Sequence, residues 1–419
     1  MDKACPEIKK CRVCGNANLE RCVDLGEQYL SSIFPENLDY RSTLPKYPLG
    51  LALCIKNKKT DCGLLQLNHD LDLTEMYGAY PYTSSSNSSM KGILEDVAKS
   101  GIEVDCLKKG DLILDIGCND GTLLSFFQNK GYNLLGIDAA KNIKPNLKST
   151  DFSFVSSFFN RETFEKNARE KAKLIFSIAM FYHLSDPLRF ANDVAACLHS
   201  DGVWIIQMAY LPAMLETNMY DNIVHEHNGY YGIETIEWVL DKAGLEVFDV
   251  LTNDVYGGSY RVFAKKKGNQ KFEKTPRYHK LLAAEKTSRL FELETYRNFE
   301  RRIQKTREDL KALLKKLKSE GKTVWVYGAS TKGNTILQYC GLSSRDIVAA
   351  ADANSFKFGK FIIGSDLLIK NEEEMRREKP DYLLALPYSF VSGFMSRESD
   401  LINQGTKFIV PLPEIRILP

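Results

Sequence analysis

Long apolar runs are missing from this 419-residue chain, and none approaches the ~20 residues that cross a bilayer. The N-terminus is charged and shows no apolar signal segment. A surplus of one charge sign is missing too. Lys and Arg total 56 against 54 for Asp and Glu, so the basic face that nucleic acid needs is not there. The three-glycine dinucleotide fingerprint is also absent, which argues against a pyrophosphate cradle. Histidine is scarce, with six residues in all. The expectation is a cytoplasmic protein without membrane or nucleic-acid partners, a monomer or weak homodimer. What is present is an ordinary globular mixture, 44% hydrophobic and 26% charged. The length is more than one core holds, so two or three domains are expected.

One stretch dominates the reading. Asp111 to Ile116 has the pattern of a short buried strand, and it runs into the turn Gly117-Cys118-Asn119-Asp120-Gly121. A second strand, Leu134 to Ile137, ends at Asp138 and Ala139. Glycines let a cofactor approach backbone, and an acid at the next strand end can take two ribose hydroxyls. Asp115 and Asp120 would repel a pyrophosphate. They suit a cofactor with a positive centre, and S-adenosylmethionine carries a sulfonium and an amino group. The turn would hold its amino-acid part and Asp138 its ribose. The stretch from Ser153 to Phe159, with Phe158, would flank the adenine.

Two of the histidines stand at Val224-His225-Glu226-His227, with Tyr230 and Tyr231 just after. His183 ends a further strand, where doubly wound folds place ligands. All three are expected to meet in one cleft over the methyl donor. Two chemistries stay open there: a metal site, or an imidazole acid and base pair oriented by Glu226. The polar segment from 79 to 89 carries Tyr80 and Tyr82 and reads as a linker or a substrate lid.

Cys11-Arg12-Val13-Cys14-Gly15 is half of a metal knuckle. Cys54 and Cys62 supply a second pair, with a polar insert between them that can bulge outward. Four thiolates suit a closed, structural tetrahedral zinc. Cys5 and Cys22 are spare candidates. Such a staple would hold a first segment that is rich in turns.

Strands and helices alternate through the middle of the chain, which predicts a mostly parallel sheet with helices on both faces. Residues 271 to 320 read as long helix, broken once. A second α/β unit follows. Its strand Thr323 to Tyr327 enters Gly328-Ala329-Ser330-Thr331-Lys332-Gly333-Asn334, and its next strand ends at Asp352. Backbone N–H groups with Lys332 suit phosphate, and Asp352 could read a ribose. The expected architecture is α/β. A zinc-binding domain spans 1–78, a Rossmann-like methyltransferase domain 79–270, and a helical linker with a Rossmann-like nucleotide-sugar-binding domain 271–419.

The ordered set of motifs resembles the S-adenosylmethionine-dependent sugar C-methyltransferases that act on dTDP-linked keto-deoxysugars. The segments that carry the resemblance are the Cys11 knuckle, Cys62-Gly63-Leu64-Leu65-Gln66-Leu67, the turn after Asp115, His183 with Asp186-Pro187, His225-Glu226-His227, Gly257-Gly258-Ser259-Tyr260-Arg261 and the Gly328 turn. It implies that His227 removes the proton beside a sugar ketone, with Glu226, His183 and His225 as neighbours. Tyr80 or Tyr82 would line the pocket. Ser259, Arg261, Gly328, Ser330, Lys332, Asn334 and Asp352 would hold a dTDP-, GDP- or CDP-linked sugar. The family's tyrosine directly before His-Glu-His is replaced here by Val224. Rival expectations are O- or N-methylation of another acceptor, and a non-catalytic binding protein.

Overall fold

The computed structural model describes residues 5–72, 83–86, 88–146 and 152–419. It builds three sheets. The first is antiparallel, with β1 (Leu19–Gln28), β2 (Tyr47–Cys54) and β3 (Leu65–Leu67) side by side. Its fourth strand, β9 (Gly229–Tyr230), comes from the middle of the chain. The two residues that follow His227 and Asn228 are therefore stitched into the N-terminal sheet.

The second sheet contains β4 (Leu112–Ile116), β5 (Asn133–Asp138), β6 (Phe152–Ser156), β7 (Ala172–Ile178), β8 (Leu198–Ala209), β10 (Leu245–Asn253) and β11 (Ser259–Lys266). Its order is β10-β11-β8-β7-β4-β5-β6. The strands from β6 to β8 are parallel, and β11 inserts antiparallel between β8 and β10. Every residue of β4 is buried, as a continuous apolar run in a covered parallel sheet requires. Strand order reverses between β4 and β7, which opens a ligand crevice at their C-terminal ends.

The third sheet runs β14-β15-β13-β12-β16-β17-β18. Its central strands are β12 (Val324–Tyr327), β13 (Ala350–Asp352) and β16 (Tyr382–Ala385), flanked by β14 (Phe361–Ile362), β15 (Leu367–Asn371), β17 (Lys407–Val410) and β18 (Arg416–Leu418).

The long charged stretch forms two helices, Pro276–Thr287 and Leu293–Ser319. Thr275 caps the first and Pro276 fills its first turn, where the missing N–H costs nothing. The second buries Tyr296, Phe299, Ile303, Leu310, Leu314 and Leu317, one stripe at helical spacing. That stripe joins a single apolar cluster containing Leu51 and Leu65 of the first sheet, Tyr220 and Ile223 before the His-Glu-His segment, and Val326 and Leu384 of the third sheet. The histidine segment thus lies where three units converge. Among the described residues no helix is long and apolar enough to cross a membrane.

Candidate active site

The turn after β4 is built from left-handed residues. Gly117, Asn119 and Gly121 have φ of 75°, 51° and 82°. Asn119 N–H donates to Asp138 Oδ2 and Ala140 N–H to Asp138 Oδ1, each at 2.8 Å. Both bonds orient the carboxylate and leave it lone pairs for a diol. Asp115 is buried directly behind, and burial followed by the charge of Asp138 drives its carboxyl well above the usual range. A cationic ligand at this strand switch would relieve the crowding of the two carboxyls and favour an ionised Asp115. Phe158 stands half exposed in the loop after β6, whose Ser157 N–H donates to Asp138 O at 2.8 Å. Ala139 lies between the two ends of this grip. Across the crevice, a Cβ on Gly117 would sit 3.4 Å from Met180 Cγ, so the loops after β4 and β7 face each other.

Two residues expected to touch the cofactor serve the turn instead. Asp120 is 1% exposed and accepts from Thr122 Oγ1 at 2.6 Å and from Ser85 N–H at 2.9 Å. Cys118 is buried against β5, where a Cβ on Gly136 would lie 2.7 Å from its sulfur.

His183 and His227 stack with ring centroids 5.2 Å apart and planes 22° apart. Tyr182 lies 4.4 Å from the His227 ring. His227 Nδ1 is 2.7 Å from the carbonyl oxygen of Asn222. A carbonyl only accepts, so Nδ1 carries the proton and Nε2 keeps its lone pair. Burial holds His227 well below the ordinary imidazole range, and His183 and Lys332 push the same way. Burial lowers His183 to about 3. Both rings are therefore neutral at physiological pH. Asn228 donates from Nδ2 to His183 O at 2.7 Å and ties the two segments together.

The third histidine does not join them. His227 N–H bonds to Val224 O at 3.0 Å, closing a tight turn with His225 and Glu226 at its corners. The turn sends His225 the other way, with Nε2 3.3 Å from Tyr47 O of β2. The expected three-histidine cleft is thus a pair. Among the described residues, no histidine belongs to a group with metal-ligating geometry. Glu226 is 6% exposed, and neither carboxyl oxygen makes a complete hydrogen bond. Burial raises its carboxyl, partly offset by the Ser32 hydroxyl. Tyr80 and Tyr82 lie outside the described residues.

The glycines of the C-terminal turn are closely packed. A Cβ on Gly328 would meet Pro387 Cγ at 2.5 Å, and one on Gly333 would meet Leu386 Cβ at 2.4 Å. Both glycines are thus packed against the end of β16 and the residues after it. Asp352 accepts from Ala329 N–H, Asn354 N–H and Lys357 Nζ at 2.9, 2.8 and 2.9 Å, which leaves it poorly placed for a ribose. Ser330 caps the Thr331–Cys340 helix, its side chain accepting from Gly333 N–H. Asn334 is fully buried, its Nδ2 3.5 Å from Ser31 O. Lys332 is buried close to the histidine pair. Its charge reaches His227 and Asp221, and Tyr388 donates to Asp221 Oδ1 at 2.9 Å.

Ser259 and Arg261 are likewise committed inside the fold. Ser259 Oγ donates to Val255 O at 2.8 Å. Arg261 is 2% exposed; its Nε donates to Gln207 Oε1 at 2.9 Å and its Nη2 to Asp96 Oδ2 at 2.7 Å. A guanidinium so enclosed ties β11 to β8 and to the Ser88–Glu103 helix and offers nothing to a substrate.

The sulfurs of Cys11, Cys14, Cys54 and Cys62 lie within 4.8 Å of one another, with Cys11 to Cys62 at 3.4 Å and Cys14 to Cys54 at 3.6 Å. Zinc bonds of about 2.3 Å in a tetrahedron put sulfurs roughly 3.8 Å apart, so the set fits zinc and leaves no open position. The insert before Cys62 is closed by Asp61, which accepts from the N–H groups of Asn57 and Lys58 at 2.9 and 2.8 Å. Cys5 and Cys22 stand outside the cluster; the Cys22 thiol is 3.5 Å from Leu51 O.

The C-methyltransferase NovU of Streptomyces niveus is 30% identical over 413 residues, covering 98% of this chain and 97% of its own. The chain belongs to the C-methyltransferase family. Three family models match this C-methyltransferase in order: a zinc binding domain over residues 11–77, a methyltransferase domain over 93–250 and a C-methyltransferase C-terminal domain over 254–413. Among solved structures, a Haloferax volcanii methyltransferase in complex with its Trm112 activator aligns at 15% identity over 43% of this chain and 95% of its own, TM-score 0.35. CalO1 of calicheamicin biosynthesis, in its SAH-bound form, aligns at 13% identity over 42% and 54%, TM-score 0.34. The enzyme is an S-adenosylmethionine-dependent C-methyltransferase with a four-cysteine structural zinc site.

Several groups around this enzyme's histidine pair had little or no signal in the sequence. Tyr182 and Asn222 adjoin the histidine motifs and line a small cavity with His227 and Tyr230. Asp221 precedes Asn222. Tyr388 follows a strand more than 150 residues away, and no local pattern marks it.

Proposed function

We propose that the enzyme methylates the carbon beside the ketone of a nucleotide-linked 4-keto-deoxysugar, with His227 as the base. The observation that carries this reading is the bond from His227 Nδ1–H to Asn222 O, which fixes Nε2 as the proton acceptor. S-adenosylmethionine, when bound by Asp115, Gly117 and Asp138, supplies an electrophilic methyl group on its sulfonium.

Nε2 of His227 takes the C3 proton, and the C–H electron pair passes into an enolate. His183, stacked on the base, is proposed to donate a ring N–H to the enolate oxygen. The nearby charge of Lys332 favours the same negative state. That charge also discourages His227 from holding a proton before the substrate arrives, so the base rests unprotonated. The stacked rings and Tyr182 shield the carbanion-like carbon from water. Holding that carbon in line with the methyl group is what the converging loops contribute. Val224 is buried and leaves phenol chemistry to other residues.

Incubation with labelled S-adenosylmethionine and a panel of dTDP-, GDP- and CDP-4-keto sugars tests the reading. NMR should place the new methyl on a quaternary C3. A methyl found on oxygen or nitrogen, or no transfer to any member, would refute it.

A further inference from the structure

We propose that Asn228 is a positioning residue through which the cysteine module sets the geometry of the His183–His227 pair. The inference rests on the proposed catalytic role of that pair, but its evidence is separate. Cys62 leads directly into β3, and Cys54 N–H bonds to Leu64 O at 2.9 Å. The other knuckle grips the same strand, since Arg12 N–H donates to Gln66 Oε1 at 3.1 Å. Both halves of the cysteine cluster thus hold β3.

The free edge of β3 is used by the segment that follows His227. Leu65 pairs with Tyr230 and Gln66 with Gly229. Leu67 N–H donates to Asn228 O at 3.2 Å. Asn228 is 9% exposed, and its side-chain amide reaches the opposite way to donate to His183 O at 2.7 Å. One residue is therefore bonded to the zinc module through its backbone and to the His183 loop through its side chain, while adjoining His227 in sequence. Closing the thiolates on a metal fixes β3; β3 fixes the Asn228 carbonyl; the Asn228 amide fixes His183 relative to His227. Among the described residues the Gly117 turn takes no hydrogen bond from β3; its bonds include those to β5, Ser84 and Ser85, so donor binding is expected to depend on this chain of contacts less than the histidine pair does.

The test uses the full-length holoenzyme labelled with 15N-histidine, whose six imidazoles give few and separable signals. Stripping zinc with a chelator should shift or broaden the signals of His183 and His227 and leave those of His199 and His279 in place. Calorimetric affinity for S-adenosylhomocysteine should not change. Asn228→Ala and Asn228→Asp, neither of which can donate to His183 O, should reproduce the two-histidine change with zinc retained. Their rate of substrate C–H exchange should fall about tenfold or more at unchanged KM for the donor, the scale seen when an orienting partner is removed. Unmoved His183 and His227 signals after chelation and in both variants would overturn the proposal. So would loss of all six signals and of S-adenosylhomocysteine binding together on chelation, because the metal would then hold up the whole fold. Should the variants fail to accumulate, the chelation experiment alone decides. If the acceptor reading is wrong, C–H exchange is absent in the wild type too, while the histidine signals still report on the coupling.

Discussion

In the proposed mechanism His227 serves as the base because a backbone carbonyl fixes its tautomer and burial keeps it unprotonated. The active form is the neutral ring, and its folded pKa lies below 6.5. The acid limb of the kcat/KM profile should therefore fall below pH 6.5; a limb above that value would contradict the burial argument. His225 tests a different consequence of burial. Its pKa drops from 6.5 to about 4, so below pH 6.5 the unfolded chain binds a proton that the folded chain refuses. Stability from this group is whole above pH 6.5 and is lost as pH falls toward 4. At pH 5 the loss is about 2 kcal/mol. Buried acids with raised pKa, such as Asp115 and Glu226, act with the opposite sign, so the comparison must be differential. Denaturant titrations of wild type and His225→Asn at pH 7 and pH 5 should show a shallower pH dependence in the variant. Equal slopes would remove His225 as a source.

At the scale of elements, the turn after β4 is pressed against β5. Gly136→Ala places a methyl 2.7 Å from the Cys118 sulfur and 3.3 Å from its Cβ. The turn must shift, at a cost of about 1–3 kcal/mol. S-adenosylhomocysteine binding should weaken accordingly by calorimetry, while the zinc content stays the same. What the sequence disclosed follows from how local each signal is. Buried parallel strands such as β4 and β5, the broken helix over 276–319 and the four cysteines are written in short-range patterns, and they sit where those patterns put them. The direction of His225 is set by a tight turn that its neighbours do not advertise. The enclosure of Arg261 depends on Gln207 and Asp96, far off in sequence. The C-terminal unit repeats the strand-glycine-acid order of a nucleotide site, but a linear pattern cannot show that Pro387 packs on Gly328 or that Lys357 pairs with Asp352.

Across the whole molecule, the zinc module, the histidine segment and the C-terminal unit share one apolar cluster, and β9 belongs to the first sheet despite its place in the chain. Such sharing predicts joint unfolding of these parts. Calorimetry of the zinc-loaded enzyme should give a single transition with matching calorimetric and van't Hoff enthalpies. An early, separate transition of the N-terminal module would show that the shared cluster is not cooperative. The same convergence brings the charge of Lys332 and the ring of His183 to His227 from opposite units. The central claim, removal of a carbon-bound proton by His227, is tested most directly by proton NMR of a 4-keto nucleotide sugar in D2O with S-adenosylhomocysteine in place of the donor. The account predicts deuterium at C3 with the wild-type enzyme and a rate lower by about 10²-fold or more with His227→Ala. Exchange at the wild-type rate in His227→Ala, with its binding of S-adenosylhomocysteine intact, would contradict it.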